Sequence, residues 1–127
     1  MTLEEKMELS ETRIFKAVFP NTTNHYDTLF GGTAMSLMDE VAFIAATRFS
    51  RKKILTVSSD RIDFNKPIPS GTIAEFVAKV IHVGRTSMRV KVEIFTEQMY
   101  EEHREKAIEG EFTMVAVDDD KNPVPVF

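Results

Sequence analysis

A chain of 127 residues suits one domain, which at this size buries roughly two-thirds of the surface its unfolded chain exposes. With 43% hydrophobic and 28% charged residues the composition is not that of a disordered tract, and a net charge of −4 with scattered basic residues argues against a nucleic-acid partner. The absence of cysteine removes disulfides, thiol nucleophiles and Cys-based metal sites, and suits a reducing, cytoplasmic setting.

The opening "MTLEEKMELSET" lacks the basic start and apolar core of a signal peptide. No run reaches the roughly 18 apolar residues that a membrane span needs. A first strand is predicted at Thr12–Phe19, stopped by Pro20, and "PNTTNHYD" has the composition of a loop. A helix is predicted from about Gly32 to Phe49, and Arg48, Arg51, Lys52 and Lys53 suit its negative C-terminal end. It is apolar almost all round, yet begins beside paired glycines and carries Asp39 and Glu40 on its body.

Four strands follow. "KILTVSSDRIDF" opens with Leu55 and Val57 on one parity and closes with Ile62 and Phe64 on the other, which predicts a bulge or bend near Ser59–Arg61. "KPIPSG" reads as a turn. In "TIAEFVAKVIHV", Ala74, Phe76, Ala78 and Val80 share one face, with Glu75 and Lys79 on the other. Met88, Val90, Val92 and Ile94 alternate with Arg89, Lys91 and Glu93, the pattern of a half-buried strand, and Gly84 is placed in the hairpin before it. After the charged loop "EQMYEEHRE", Ile108, Phe112, Met114 and Ala116 mark a last strand that ends at "DDDKNP".

Short connections predict that these four strands form a meander. An α+β architecture results: one curved antiparallel sheet of about five strands, with a helix about 27 Å long in its concave face. Cover on most sides would explain the helix's all-round hydrophobicity. Most of the ten Phe and seven Met are expected to fill the core.

The block "NHYDTLFGGTAMSLMDEVAFIAATR", then "TVSSDRIDFNKPIPSG" and "VGRTSM", resembles the hotdog-fold acyl-CoA thioesterases, specifically the acyl-CoA hydrolase group, from about Ile14 to Asp118. The resemblance implies one hotdog domain over residues 1–127, with its core from about 12 to 118. It also implies hotdog dimers, often assembled as trimers of dimers. The family's loop asparagine corresponds to Asn24, its glycine pair to Gly31 and Gly32, and its helix acid to Asp39. Where the family often has small or neutral residues after Asn–His, this chain has Tyr26 and Asp27; the added acid either tunes the chemistry or caps a turn.

Hydrolysis of an acyl-CoA thioester needs a polarised carbonyl and an activated water. A helix N-terminus presents unpaired N–H groups and partial positive charge, and glycine allows close approach. Gly32 is therefore the candidate oxyanion donor, a role worth about 3–4 kcal/mol. The competing explanation for Gly31 and Gly32 is close packing of helix on sheet. Asp39 lies seven residues beyond Gly32, on nearly the same face, whereas Glu40 falls on a more polar strip with Thr33 and Ser36.

Asp39, expected to be partly stripped of water on an apolar helix, is the candidate general base; direct attack by its carboxylate is the alternative. Asn24 can donate and accept, and so could hold the water or the carbonyl. In the family this asparagine meets the acid of the neighbouring subunit, and the same is expected here. His25 is a support residue, and His82 and His103 are structural or exposed.

CoA phosphates call for cationic and hydroxyl groups. Arg85, Thr86 and Ser87 are the candidates by resemblance, with Arg61 and Lys66 weaker ones. Met35, Met38, Phe43 and Phe64 are candidates for an acyl channel, although core packing explains them equally. No metal or cofactor is expected, since CoA is part of substrate and product. The alternatives are a non-catalytic acyl-CoA-binding hotdog and, less favoured, an acyl-thioester dehydratase, for which His25 is the one candidate.

Overall fold

The computed structural model describes residues 1–127. A short helix α1 (Leu3–Leu9) leads into strand β1 (Thr12–Ala17), a 3-10 turn (Pro20–Thr22) and the long helix α2 (Gly31–Ser50). Four strands follow: β2 (Lys53–Phe64), β3 (Thr72–Val83), β4 (Ser87–Gln98) and β5 (Arg104–Val117). All five strands form one antiparallel sheet in the order β1-β3-β4-β5-β2.

The four-strand meander is thus corrected. Only β3, β4 and β5 run as hairpin neighbours, while β2 pairs with β5 at the far edge from β1. The physical reason lies in α2, which follows β1 and must be covered on both flanks, so the strand after it closes the opposite edge. The segment 65–71 then returns across the molecule as a crossing loop. It is anchored where Asn65 and Lys66 N–H donate to the Ala107 carbonyl and where Ile68 is buried. Gly71, at φ 84°, makes the sharp entry into β3 that glycine permits.

The inward faces follow the alternation in the sequence. Ala74, Phe76, Ala78 and Val80 of β3, Met88 to Ile94 of β4, and Ile108 to Ala116 of β5 pack on Met38, Val41, Ala42, Ala45 and Phe49 of α2. The expected bulge in β2 is present: its register slips between Thr56 and Ser58 and again between Asp60 and Asp63, where Arg61 takes φ 53°. Gly84 makes the β3–β4 turn, its N–H donating to the Ser87 carbonyl at 2.8 Å.

Two expectations about apolar residues change. Only Phe49, Phe76 and Phe112 of the ten phenylalanines are buried, while Phe15, Phe19, Phe30, Phe43, Phe64 and Phe127 lie exposed. One small core cannot absorb that much aromatic surface, so the rest lies on open faces. For the same reason α2 is not covered all round: Ser36, Glu40 and Phe43 form a stripe that the sheet does not reach. Helix α1 was not foreseen, although Thr2 caps it by accepting from the Glu5 N–H at 3.1 Å. The Ser10 hydroxyl that follows accepts the Val80 N–H at 3.0 Å and ties α1 to β3. No helix is long and apolar enough to cross a membrane.

On the outer face, Glu75 of β3 is 6% exposed. It accepts from Arg13 Nη1 at 2.8 Å and Arg104 Nε at 3.0 Å, while the Arg104 guanidinium also stacks 3.7 Å from the Phe95 ring centre. Burial pushes the carboxyl upward, but the hydrogen bonds from Arg104 and Arg13 outweigh it and hold Glu75 below the ordinary glutamate range. Its contribution to stability is therefore complete above about pH 4.3 and is lost as pH falls through the lowered folded value. Glu75→Gln should cost about 2 kcal/mol at pH 7 and clearly less near pH 3. Denaturant unfolding at both pH values measures this, and an equal loss at both would contradict the ion-pair origin.

Candidate active site

Helix α2 is preceded at its N-cap by Phe30, which supplies no side-chain cap, and its first helix-type bond runs from the Ala34 N–H to the Phe30 carbonyl at 2.9 Å. The N–H groups of Gly31, Gly32 and Thr33 are left without partners in the chain. A Cβ added at Gly31 or at Gly32 would meet no atom within 4 Å. Close packing of helix on sheet therefore does not account for the glycine pair; both residues are exposed and leave the helix end open.

A cleft of about 380 Å³ lies between this end of α2 and the edge strand β2. Gly32, Met35 and Asp39 line it from the helix, Thr56 and Ser59 from β2, and Phe112 from β5. Gly32 and Asp39, two of the expected site residues, thus share one cavity. Asp39 is half-buried, and its Oδ1 accepts a hydrogen bond from the Thr56 hydroxyl at 2.7 Å. It is engaged in no salt bridge. Glu40 points elsewhere and is exposed.

Seven residues of helix rise about 10 Å, and helical side chains lean toward the N-terminus. The Asp39 side chain therefore leans back toward the Gly32 end of the cleft that both residues line.

Thr56 was not foreseen as a site residue. The signal was present: it is a polar residue at an inward position of β2, two residues after the buried Ile54.

Asn24 does not line the cleft of its own chain. Its Oδ1 accepts from the Tyr26 N–H at 2.9 Å, the Thr28 N–H at 3.2 Å and the Thr28 hydroxyl at 3.1 Å. The expectation that Asn24 both donates and accepts is therefore corrected: its acceptor is consumed by its own loop, and only the amide N–H groups remain free. Asp27 belongs to the same turn, at φ 58° with its N–H on the Asn24 carbonyl at 3.1 Å. This accounts for the added acid as a turn residue. The loop is rigidly backed, because Leu29 N–H donates to the Ile68 carbonyl and Ser70 N–H to that of Asp27, both at 2.8 Å.

Arg85 and Thr86 sit on the β3–β4 turn and Ser87 opens β4, all outside the cleft. The turn is braced by the C-terminal segment, with Val126 N–H on the Arg85 carbonyl, and by β5, with Ala116 N–H on that of Thr86. Arg61 turns outward, 3.6 Å from Glu111 and 3.9 Å from Asp60, and Lys66 pairs with Glu105 at 2.8 Å. Neither reaches the cleft. His25 is exposed and rests on the Tyr26 ring, His82 is exposed, and His103 lies 3.6 Å from Glu105. Of the channel candidates, Met35 lines the cleft, Met38 is core, and Phe43 and Phe64 are exposed.

The sequence profile of the thioesterase superfamily matches residues 26–103. An uncharacterized acyl-CoA thioester hydrolase of Bacillus subtilis, YkhA, is 40% identical over 128 residues, covering 94% of this chain and 74% of the relative. The acyl-CoA hydrolase of Staphylococcus aureus, solved with butyryl-CoA, CoA and CoA disulfide, superposes with a TM-score of 0.90. It is 38% identical, with 94% of this chain and 73% of that one covered. Its solved forms include alanine replacements of a threonine, an aspartate and an asparagine, the last with CoA bound. An apo-hexameric acyl-CoA thioesterase matches with a TM-score of 0.92 at 36% identity, over 94% of this chain and 77% of that one.

Proposed function

We propose that this chain, which belongs to the thioesterase superfamily, hydrolyses acyl-CoA thioesters to a free acid and CoA. The observation that carries the proposal is the Asp39 carboxylate, held by the Thr56 hydroxyl at 2.7 Å, in one cleft with the uncapped start of α2 at Gly32. The thioester oxygen sits on the Gly32 N–H, where the helix end favours developing negative charge. The Thr56 bond occupies Oδ1 of Asp39 and leaves Oδ2 for water. As that water attacks, its proton passes to Asp39, a C–O bond forms, and the C–S bond then breaks. The proton finally goes to the departing CoA sulfur, so the reaction is balanced without redox change or a further cofactor. Attack by Asp39 itself, through an anhydride, uses the same geometry.

The spacing of site residues supports the assignment. In the S. aureus protein the replaced asparagine, aspartate and threonine are separated by 15 and then 17 positions. Asn24, Asp39 and Thr56 are separated by the same 15 and 17. Asn24, with only its amide N–H groups free and no place in its own chain's cleft, donates into the cleft of a second copy. The active species is accordingly a hotdog dimer, assembled further as a trimer of dimers. Arg85, whose guanidinium has no partner in the chain, and the neighbouring Thr86 and Ser87 meet CoA phosphates. Gly31 keeps the cleft mouth open. The catalytic unit is one domain, 1–127, working in the cytoplasm.

Release of free thiol from a panel of acyl-CoAs tests the activity. The wild-type protein should release it from at least one ester at a rate far above buffer. Acyl-CoA binding without thiol release would overturn the proposal in favour of a non-catalytic binding protein.

A further inference from the structure

Gly110 of β5 is buried on the inward face between Ile108 and Phe112. A Cβ placed on it would stand 2.2 Å from Cδ1 of Ile62 and 3.2 Å from Cε of Met38. The volume that any other residue would fill is therefore occupied by Ile62, reaching across from β2.

The bulge puts Ile62 there. Asp60 pairs with Glu111, and regular alternation would then aim Arg61 inward and Ile62 outward. The register slip between Asp60 and Asp63, with Arg61 at φ 53°, reverses this. Arg61 turns out to Glu111, and Ile62 becomes half-buried over Gly110. Arginine adopts that backbone conformation only against steric resistance, so the reversal is held by what it places.

The placement lies next to the cleft. Phe112 is the inward residue of β5 just beyond Gly110, Ser59 is its partner on β2, and both line the cleft. Met35, one helical turn before Met38, lines it as well. Met35 and Phe112, the two apolar residues of the cleft lining, thus stand next in their elements to Met38 and Gly110, against which Ile62 packs. Resting on the acyl-CoA reading above, we infer that Ile62, lodged in the space Gly110 leaves open and backed by Met38, closes the inner end of the cleft and sets the length of acyl chain accepted. A hydrophobic pocket discriminates by about tenfold or more per methylene. Ile62→Ala removes three carbons from the wall.

The test is kcat/KM for straight-chain acyl-CoAs, from short to long, in the wild type, Ile62→Ala and Gly110→Ala. Ile62→Ala should raise the long-to-short ratio at least about tenfold. Gly110→Ala, whose new methyl group must push Ile62 into the cleft, should move the ratio the opposite way. Profiles parallel to wild type, lowered by one factor at every chain length, would overturn the inference.

Ile62→Val, which lacks the crowding Cδ1, covers the case in which the larger changes do not fold. It should shift the ratio as Ile62→Ala does, by less, and raise the Tm of Gly110→Ala when combined with it. Absence of both effects counts against the seat. If the wild type hydrolyses no acyl-CoA, the functional reading fails separately. Calorimetric affinities of non-hydrolysable acyl-CoA thioethers for wild type and Ile62→Ala then decide the inference, and an unchanged dependence on chain length would refute it.

Discussion

Replacing Asp39 by asparagine is expected to lower kcat for acyl-CoA hydrolysis about a thousandfold, with little change in KM. The substitution keeps the shape of the side chain and its acceptor for the Thr56 hydroxyl, but removes the charge that takes a proton from water. If Asp39 is the base and Gly32 the oxyanion donor, the first contribution is lost and the second kept, so a residual rate above solution should survive. Thr56→Val should cost about tenfold, because the carboxylate stays but loses the donor that aims it. Steady-state thiol release measures both, with Tm as the check on folding. An Asp39→Asn protein that keeps wild-type kcat would remove Asp39 from the mechanism. A single turnover in heavy-oxygen water bears on its two candidate roles: label in the Asp39 carboxylate marks an anhydride opened by water at the Asp39 carbonyl, whereas a general base, or an anhydride opened at the acyl carbon, puts label only in the released acid.

Mixing two inactive variants should restore activity. If Asn24 of one copy serves Asp39 of its neighbour, a mixed dimer of Asn24→Ala and Asp39→Ala contains one complete site and one empty of both groups. With equal amounts and random pairing, half of the dimers are mixed. The expected rate is then about a quarter of wild type, hundreds of times that of either variant alone. The structure motivates the experiment in two ways. Asn24 is absent from its own chain's cleft, and its loop is pinned by Leu29–Ile68 and Ser70–Asp27 hydrogen bonds, so it has no means of folding inward. Exchange of subunits is verified by mass spectrometry of the mixture. Mixed dimers that form but stay inactive would assign both groups to a single chain.

The two experiments probe different parts of the site. Asp39→Asn removes one charge from every site, whereas the mixture leaves one complete site in each mixed dimer and draws its two groups from different chains. Loss in the first with no recovery in the second would keep the chemistry and discard the shared site.

Local periodicity carried much of the molecule. The 3.6-residue repeat placed α2 and put Gly32 and Asp39 on one face, where a single cleft now holds both. The two-residue alternation of β3, β4 and β5 named their inward residues; in β2 a slip falls near the predicted bend, but Ile54 and Thr56 take the inward positions before it and leave the apolar Leu55 and Val57 exposed. Such repeats depend on residues a few positions apart, so a linear reading contains them.

Parity tells which face a side chain takes but not which strand lies beside it. The pairing of β2 with β5, the Thr56–Asp39 hydrogen bond across 17 positions, the burial of Glu75 between Arg13 and Arg104, and the seat of Ile62 over Gly110 all join distant segments. Asn24 shows the same limit at short range: its residue type offers both a donor and an acceptor, and only the folded loop shows that the acceptor is already used. Those arrangements were decided in three dimensions, where covering both flanks of one apolar helix dictates which strand must close each edge.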